Sequence, residues 1–202
     1  MKLRWKIPYH ILKPLVLILF HLKVTGIENL PKNGGCIIAC NHISYLDPPL
    51  LGFAAGRELY YLAKEGLFKE VNKFFTWLII TYNAIPLRRE GMDLRAVKCV
   101  LTLLRRGEVL VLFPEGTRST SGRLLPPKPG LGFIAWHADV PVIPTHIRGA
   151  NARIGDILMG KEKITITFGK ACNPREYGKD YRVLSESIMK EIEGLSGGDN
   201  RC

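Results

Sequence analysis

Acidic residues are scarce in this chain: 18 Asp and Glu stand against 29 Lys and Arg, a formal net charge of +11 over 202 residues. A surplus of that size predicts an anionic partner, whether a phosphate ligand, an acidic membrane, an acidic carrier protein or a nucleic acid. It says nothing about fold, and a solvated basic surface accounts for it equally well. Long apolar runs are also missing. The opening MKLRWK is basic, and Lys13 and Pro14 break the apolar stretch behind it. The longest uncharged run there, Pro14–Leu22, falls well short of the roughly 20 residues a spanning helix needs. No A-x-A-like cleavage site follows, which argues against a secretory signal. The cysteines (Cys36, Cys40, Cys99, Cys172 and Cys202) are odd in number and form no CxxC pair. That excludes a disulfide framework and a zinc site, and it fits a reducing cytoplasm. Internal repeats, low-complexity tracts and a G-x-S-x-G nucleophile elbow are absent as well.

What is present is an ordinary globular composition, 47% hydrophobic and 23% charged, long enough for one well-buried core. Apolar β-type runs alternate with helical patterns. Strands are expected at Gly35–Ala39, Leu59–Ala63, Ala84–Leu87, Val109–Phe113, Val142–Ile147 and Ile164–Phe168. Cys36 and Cys40 then share one strand face as core residues. Helices are expected at Leu67–Ile80, between Asp93 and a Gly107 stop, at Leu131–Ala138 and at Val183–Ile192. Strand–helix alternation with continuous apolar strands predicts an α/β fold: a single domain whose mostly parallel or mixed central sheet is covered by helices. The expected organisation is an interfacial helical segment over 1–23, one domain over 24–195 and a flexible tail over 196–202.

In the first segment Lys2, Arg4, Lys6, Lys13 and Lys23 are placed to meet lipid headgroups. Trp5, Leu15, Val16, Ile18, Leu19 and Phe20 are placed to enter the acyl boundary. The competing reading is a helix that packs on the core. The same choice applies to the helix Leu67–Ile80, with its Phe residues and Trp77.

Two segments carry chemistry. Asn41-His42-Ile43-Ser44-Tyr45-Leu46-Asp47 follows directly on an apolar strand, and α/β sheets bind ligands just outside the carboxyl ends of their strands. A turn brings the Asp47 carboxylate back to the His42 imidazole, where it holds one tautomer and stabilises the imidazolium. That suits general-base removal of a proton from an alcohol. The structural alternative is Asp47 as an N-cap, with Pro48 at the first helical position. The second segment, Phe113-Pro114-Glu115-Gly116-Thr117-Arg118-Ser119, again follows a strand. Its glycine, exposed amides, hydroxyls and Arg118 fork suit a phosphate. A polar turn with Glu115 paired to Arg118 is the alternative.

Together these segments resemble the NHxxxxD and FPEGTRS motifs of the 1-acylglycerol-3-phosphate acyltransferases, in the glycerolipid acyltransferase superfamily. Ala84-Ile85-Pro86-Leu87-Arg88-Arg89 lies between them, and Lys128-Pro129-Gly130 and Val140-Pro141-Val142-Ile143-Pro144-Thr145 follow, in family order. The resemblance spans roughly Val24–Phe168. It implies acyl transfer from acyl-CoA or acyl-carrier protein to the sn-2 hydroxyl of lysophosphatidic acid, giving phosphatidic acid in phospholipid biosynthesis. His42 is implied as the base and Asp47 as its orienting partner. Glu115, Gly116, Thr117 and Arg118, with Arg88 or Arg89, are implied at the acceptor phosphate, with Lys64 and Asn41 supporting the oxyanion or the site. Direct attack on the thioester needs a base, an oxyanion stabiliser and positioning, with no metal and no cofactor beyond the acyl donor. Many family members carry one or two transmembrane helices; here peripheral or monotopic attachment to the cytoplasmic face of the cell membrane is expected instead. The expected partners are thus the lipid substrate, an anionic membrane surface and the acyl-carrier protein.

Other acceptors suit the same chemistry, namely glycerol 3-phosphate or another lysolipid, because the histidine sees only a hydroxyl. A non-catalytic anionic-lipid-binding module would explain the charge but not His42 with Asp47. A nucleic-acid-binding domain is disfavoured, since the basic residues are scattered and no reading motif appears.

Overall fold

The computed structural model describes residues 3–68, 76, 79–81, 83–88 and 93–197. Seven strands form one mixed sheet: β1 Lys23–Thr25, β2 Cys36–Cys40, β3 Leu59–Lys64, β4 Ala84–Leu87, β5 Val109–Leu112, β6 Val142–Arg148 and β7 Thr165–Phe168. Their order is β1-β7-β6-β2-β5-β3-β4. The strands β6, β2, β5, β3 and β4 run parallel, and β7 pairs antiparallel with β6. The described helices are α1 Leu3–Leu19, α2 Asp47–Ala55, α3 Leu94–Arg105, α4 Gly130–Ala138, α5 Ile154–Leu158 and α6 Tyr181–Gly194.

The central strands are apolar at every position because both sheet faces are covered. In β2, Cys36, Ile38 and Cys40 join a core with Leu50, Leu51 and Ala54 of α2. Ile37 and Ala39 point the other way, into a second core built by α3, α4 and α6. Each fully buried Leu or Ile stabilises this arrangement by roughly 1.5–3 kcal/mol. Burial raises the Cys36 thiol pKa to about 11 and moves that of Cys40 well above its ordinary value. Gly35 lets the start of β2 run against α3, since a Cβ there would lie 2.1 Å from the Leu104 carbonyl oxygen.

The topology sets the site. From β2 the chain passes through α2 on one face to β3, beyond β5. From β5 it passes through α4 on the other face to β6, beyond β2. The segments leaving these two adjacent strands therefore diverge, and a crevice opens at their carboxyl ends, where α/β proteins bind ligands.

Several elements depart from the sequence expectation. The strand β1 was not expected; its three residues carry no alternation long enough to read, and pairing with β7 defines it. The short helix α5 also lacks a readable period. Helix α1, expected as a helical segment, runs on through Pro8 and Pro14. Its Val16 and Phe20, expected to enter lipid, instead pack against the core, while Leu15, Ile18 and Leu19 are exposed. Most of the expected helix Leu67–Ile80, including Trp77, lies outside the described residues, as does Arg89. Leu195–Gly197 follows α6 as a 3-10 turn, and most of the tail expected over 196–202, from residue 198 on, lies outside the described residues. Among the described residues no helix is long and apolar enough to cross a membrane.

Candidate active site

The chain leaves β2 through Asn41, which is 1% exposed. Its amide donates to the Ile147 carbonyl at 2.9 Å and accepts from the Ile147 N–H at 2.8 Å. Asn41 thus replaces one rung of the β2–β6 ladder and frees the following backbone to turn into the crevice. With both ends of its amide occupied, it supports the site from below.

His42 comes next. Its Nδ1 lies 2.7 Å from Asp47 Oδ2. The same oxygen accepts the N–H groups of Ile43 at 2.7 Å and Ser44 at 2.8 Å. Backbone N–H groups can only donate, so Oδ2 is an acceptor and Nδ1 joins them as a third donor. The Nε2 lone pair then faces outward, with no protein partner among the described residues, on a ring 18% exposed. The ring stacks on Phe113, with centroids 4.1 Å apart.

Asp47 is fully buried and does not cap its own helix. Pro48 and Pro49 remove two of the amides that an N-terminal carboxylate would otherwise find. Its Oδ1 is buried without a hydrogen-bond partner among the described residues. A fully buried carboxylate with one unsatisfied oxygen is a cost to stability that functional sites commonly carry.

Glu115 departs from the expectation that it meets a phosphate. It is 2% exposed, and its two oxygens accept the N–H groups of His42 and Leu125, both at 2.9 Å. The carboxylate joins the two motifs and faces neither solvent nor Arg118. Burial raises its pKa, partly offset by the two amides. A second tie runs from the Ser119 N–H to the His42 carbonyl at 2.8 Å.

Arg118 projects beside this frame. Its guanidinium lies over the Tyr45 ring, 4.0 Å from the centroid, and has no carboxylate partner among the described residues. Thr117 is exposed, and Gly116 takes φ +67°, with the Lys128 side chain lying across it. A cavity of about 320 Å³ opens here, lined by Ser44, Leu46, Arg118, Asn151 and Ile154 among others. Lys64 and Arg88 sit at the carboxyl ends of β3 and β4, on the same sheet edge. Lys64 is exposed. Arg88 pairs with Glu65 at 3.1 Å, and its N–H is held by Asp93, which also caps α3.

The structure thus brings His42, Asp47, Glu115 and Arg118 together at the crevice and sets Lys64 and Arg88 along the same edge. Three features were not readable from sequence: the Phe113 stack, the Tyr45–Arg118 contact and the participation of the β6–α5 loop. Each joins residues distant in the chain. Only the aromatic residue inside each motif hinted at them.

This arrangement sets a histidine–carboxylate pair at the carboxyl edge of an α/β sheet, beside an arginine that has no carboxylate partner among the described residues. The acyltransferase family profile matches residues 21–148, and the chain belongs to that family. It is 29% identical over 180 residues to the 1-acyl-sn-glycerol-3-phosphate acyltransferase of Bacillus subtilis, covering 86% of this chain and 87% of that one. It is 37% identical over 131 residues to the chloroplastic 1-acyl-sn-glycerol-3-phosphate acyltransferase BAT2 of Brassica napus, covering 62% of this chain and 37% of that longer protein. The crystal structure of the 1-acyl-sn-glycerophosphate (LPA) acyltransferase PlsC from Thermotoga maritima superposes with a TM-score of 0.73 at 27% identity, over 100% of this chain and 85% of that one.

Proposed function

We propose that this protein is a lysophosphatidic acid acyltransferase, forming phosphatidic acid from an acyl thioester. The observation that carries the reading is His42 Nδ1 held by Asp47 Oδ2 at 2.7 Å, with Nε2 unengaged at the crevice between β2 and β5. The names of the relatives support it.

In this reading Nε2 removes the proton from the sn-2 hydroxyl as its oxygen attacks the thioester carbonyl. Asp47 fixes the ring and stabilises the imidazolium. The tetrahedral intermediate collapses, the C–S bond breaks, and the imidazolium returns its proton to the leaving thiolate. The products are an ester and a free thiol, so no other reactant is needed. Base catalysis of this kind contributes about 10²–10⁴-fold. Arg118, with the Thr117 hydroxyl, holds the acceptor phosphate beside the Gly116 turn. Arg88 adds positive charge on the same side, and Lys64 stabilises the oxyanion. Asn41 and Glu115 act by placing the His42 loop. The donor is acyl-CoA or acyl-carrier protein. The enzyme works at the cytoplasmic membrane surface, to which the exposed side of α1 attaches it.

An acceptor panel tests the assignment. Purified protein with acyl-CoA or acyl-carrier protein should acylate lysophosphatidic acid, identified by mass spectrometry as phosphatidic acid. Preference for glycerol 3-phosphate or for a lysolipid without a phosphomonoester would overturn it.

A further inference from the structure

The sheet topology brings three segments to one edge. The strand β6 is parallel to β2, so its last residue Arg148 lies at the same end as His42. The strands β7 and β1 reverse direction, and the pairings Arg148↔Thr165 and Lys23↔Thr165 put their first residues at that end too. The last turns of α1, which lead into β1, and all of α5, which lies between β6 and β7, therefore border the active-site edge. They touch: a Cβ on Gly160 would lie 3.2 Å from His21 Nε2.

Both segments expose apolar side chains at that border. On α5 and its final cap residue these are Ile154, Leu158 and Met159, 51%, 42% and 64% exposed. On α1 they are Leu15, Ile18 and Leu19. Ile154 is also a wall of the cavity that holds Arg118. Tyr45, over whose ring the Arg118 guanidinium lies, is 67% exposed. Exposed apolar side chains of α1 and α5 thus lie at one end of the sheet, beside the cavity mouth.

The flanking charge selects the occupant. Residues 1–27 contain no Asp or Glu, and the loop over 117–128, which gives the cavity Arg118 and Thr120, carries Arg118, Arg123 and Lys128 with no acid. Around α5, exposed Arg153, Lys161 and Lys163 outnumber Asp156 and Glu162, and an apolar face with that cationic excess fits an anionic bilayer surface.

We propose that α5 is a second lipid contact: Ile154, Leu158 and Met159 rest in the acyl boundary of an anionic bilayer beside the last turns of α1, so that the Arg118 cavity opens at the lipid surface. This rests on the lipid-acceptor reading above and goes beyond attachment through α1 alone. Such a pose lets the acceptor enter sideways from the bilayer, with its phosphate toward Arg118.

The test is vesicle partition of the full chain, without substrates, so that its outcome does not depend on the catalytic assignment. The vesicles are phosphatidylcholine with or without phosphatidylglycerol. The variants are Leu158→Ser/Met159→Ser, on two exposed positions, and Arg123→Glu. The double variant should keep its thermal midpoint and lose about tenfold or more in partition onto anionic vesicles. Arg123→Glu should weaken binding only where phosphatidylglycerol is present. Turnover of an acceptor embedded in vesicles should fall in step with partition, while turnover of a short-chain, water-dispersed acceptor should not change. Wild-type partition by the folded double variant overturns the proposal. So does unchanged vesicle binding with turnover lost only from the acyl-carrier protein donor, which would make α5 a carrier-protein surface.

Discussion

The His42 backbone N–H donates to Glu115 Oε1 at 2.9 Å across 73 residues of sequence, locking the two motifs together inside the protein. Glu115 is buried, and its raised pKa follows from that burial, offset in part by the His42 and Leu125 amides. A carboxyl raised above its unfolded value of 4.5 favours the folded state most below that value, and this contribution is lost as pH rises through the folded pKa. The thermal-midpoint advantage of wild type over Glu115→Gln should therefore be largest at acid pH and shrink toward neutrality. Thermal denaturation of both proteins across that range checks it.

The Asp47 carboxylate has two separable duties. In Asp47→Asn an amide oxygen can still accept from Ile43 and Ser44, but it stabilises an imidazolium poorly. The variant should fold and lose about 10²–10⁴-fold in kcat. Asp47→Ala leaves those N–H groups and His42 Nδ1 without their acceptor, at about 1–3 kcal/mol for each group that stays buried. Steady-state kinetics and chemical denaturation of the two variants separate catalysis from scaffold.

Tyr45 supports Arg118 by a cation–π contact at 4.0 Å, worth about 0.5–2 kcal/mol. Tyr45→Leu should raise the acceptor KM by a few-fold to about tenfold and leave kcat close to wild type. Tyr45→Phe retains the ring face and should restore the KM. Kinetics with varied lysophosphatidic acid distinguish these outcomes.

Gly132 lies in α4 where a Cβ would sit 2.1 Å from the Tyr181 carbonyl oxygen. Gly132→Ala must push α4 off α6 and break the Gly132 N–H to Ser185 Oγ bond of 2.9 Å. A loss of about 1–3 kcal/mol, the usual scale for overpacking, should appear as a lower midpoint in urea unfolding.

Much of the sheet was legible because β2 and β5 are buried on both faces and therefore read as unbroken apolar runs. The His42–Asp47 relation was legible because a five-residue separation lets one turn close it. Glu115 was not. A carboxylate inside a glycine-rich, arginine-containing loop reads as polar surface, and only the packing of β2 against β5 sends it inward to the His42 amide. Strand β1 and helix α5 are too short to show a period. Pairing and packing create them, so the edge they build beside the active site appears only in three dimensions. The exposure of Leu15, Ile18 and Leu19 in α1 was foreseen, whereas Val16 and Phe20 were claimed by the core through packing that composition does not specify.

The central claim is that His42 is the base for acyl transfer to a lipid hydroxyl. It is tested most directly by thiol release from acyl-CoA or acyl-carrier protein, with and without lysophosphatidic acid, for wild type and His42→Ala. The account predicts acceptor-dependent release by wild type, reduced about 10²–10⁴-fold in the variant with its fold intact by circular dichroism. Equal release by both proteins would contradict it.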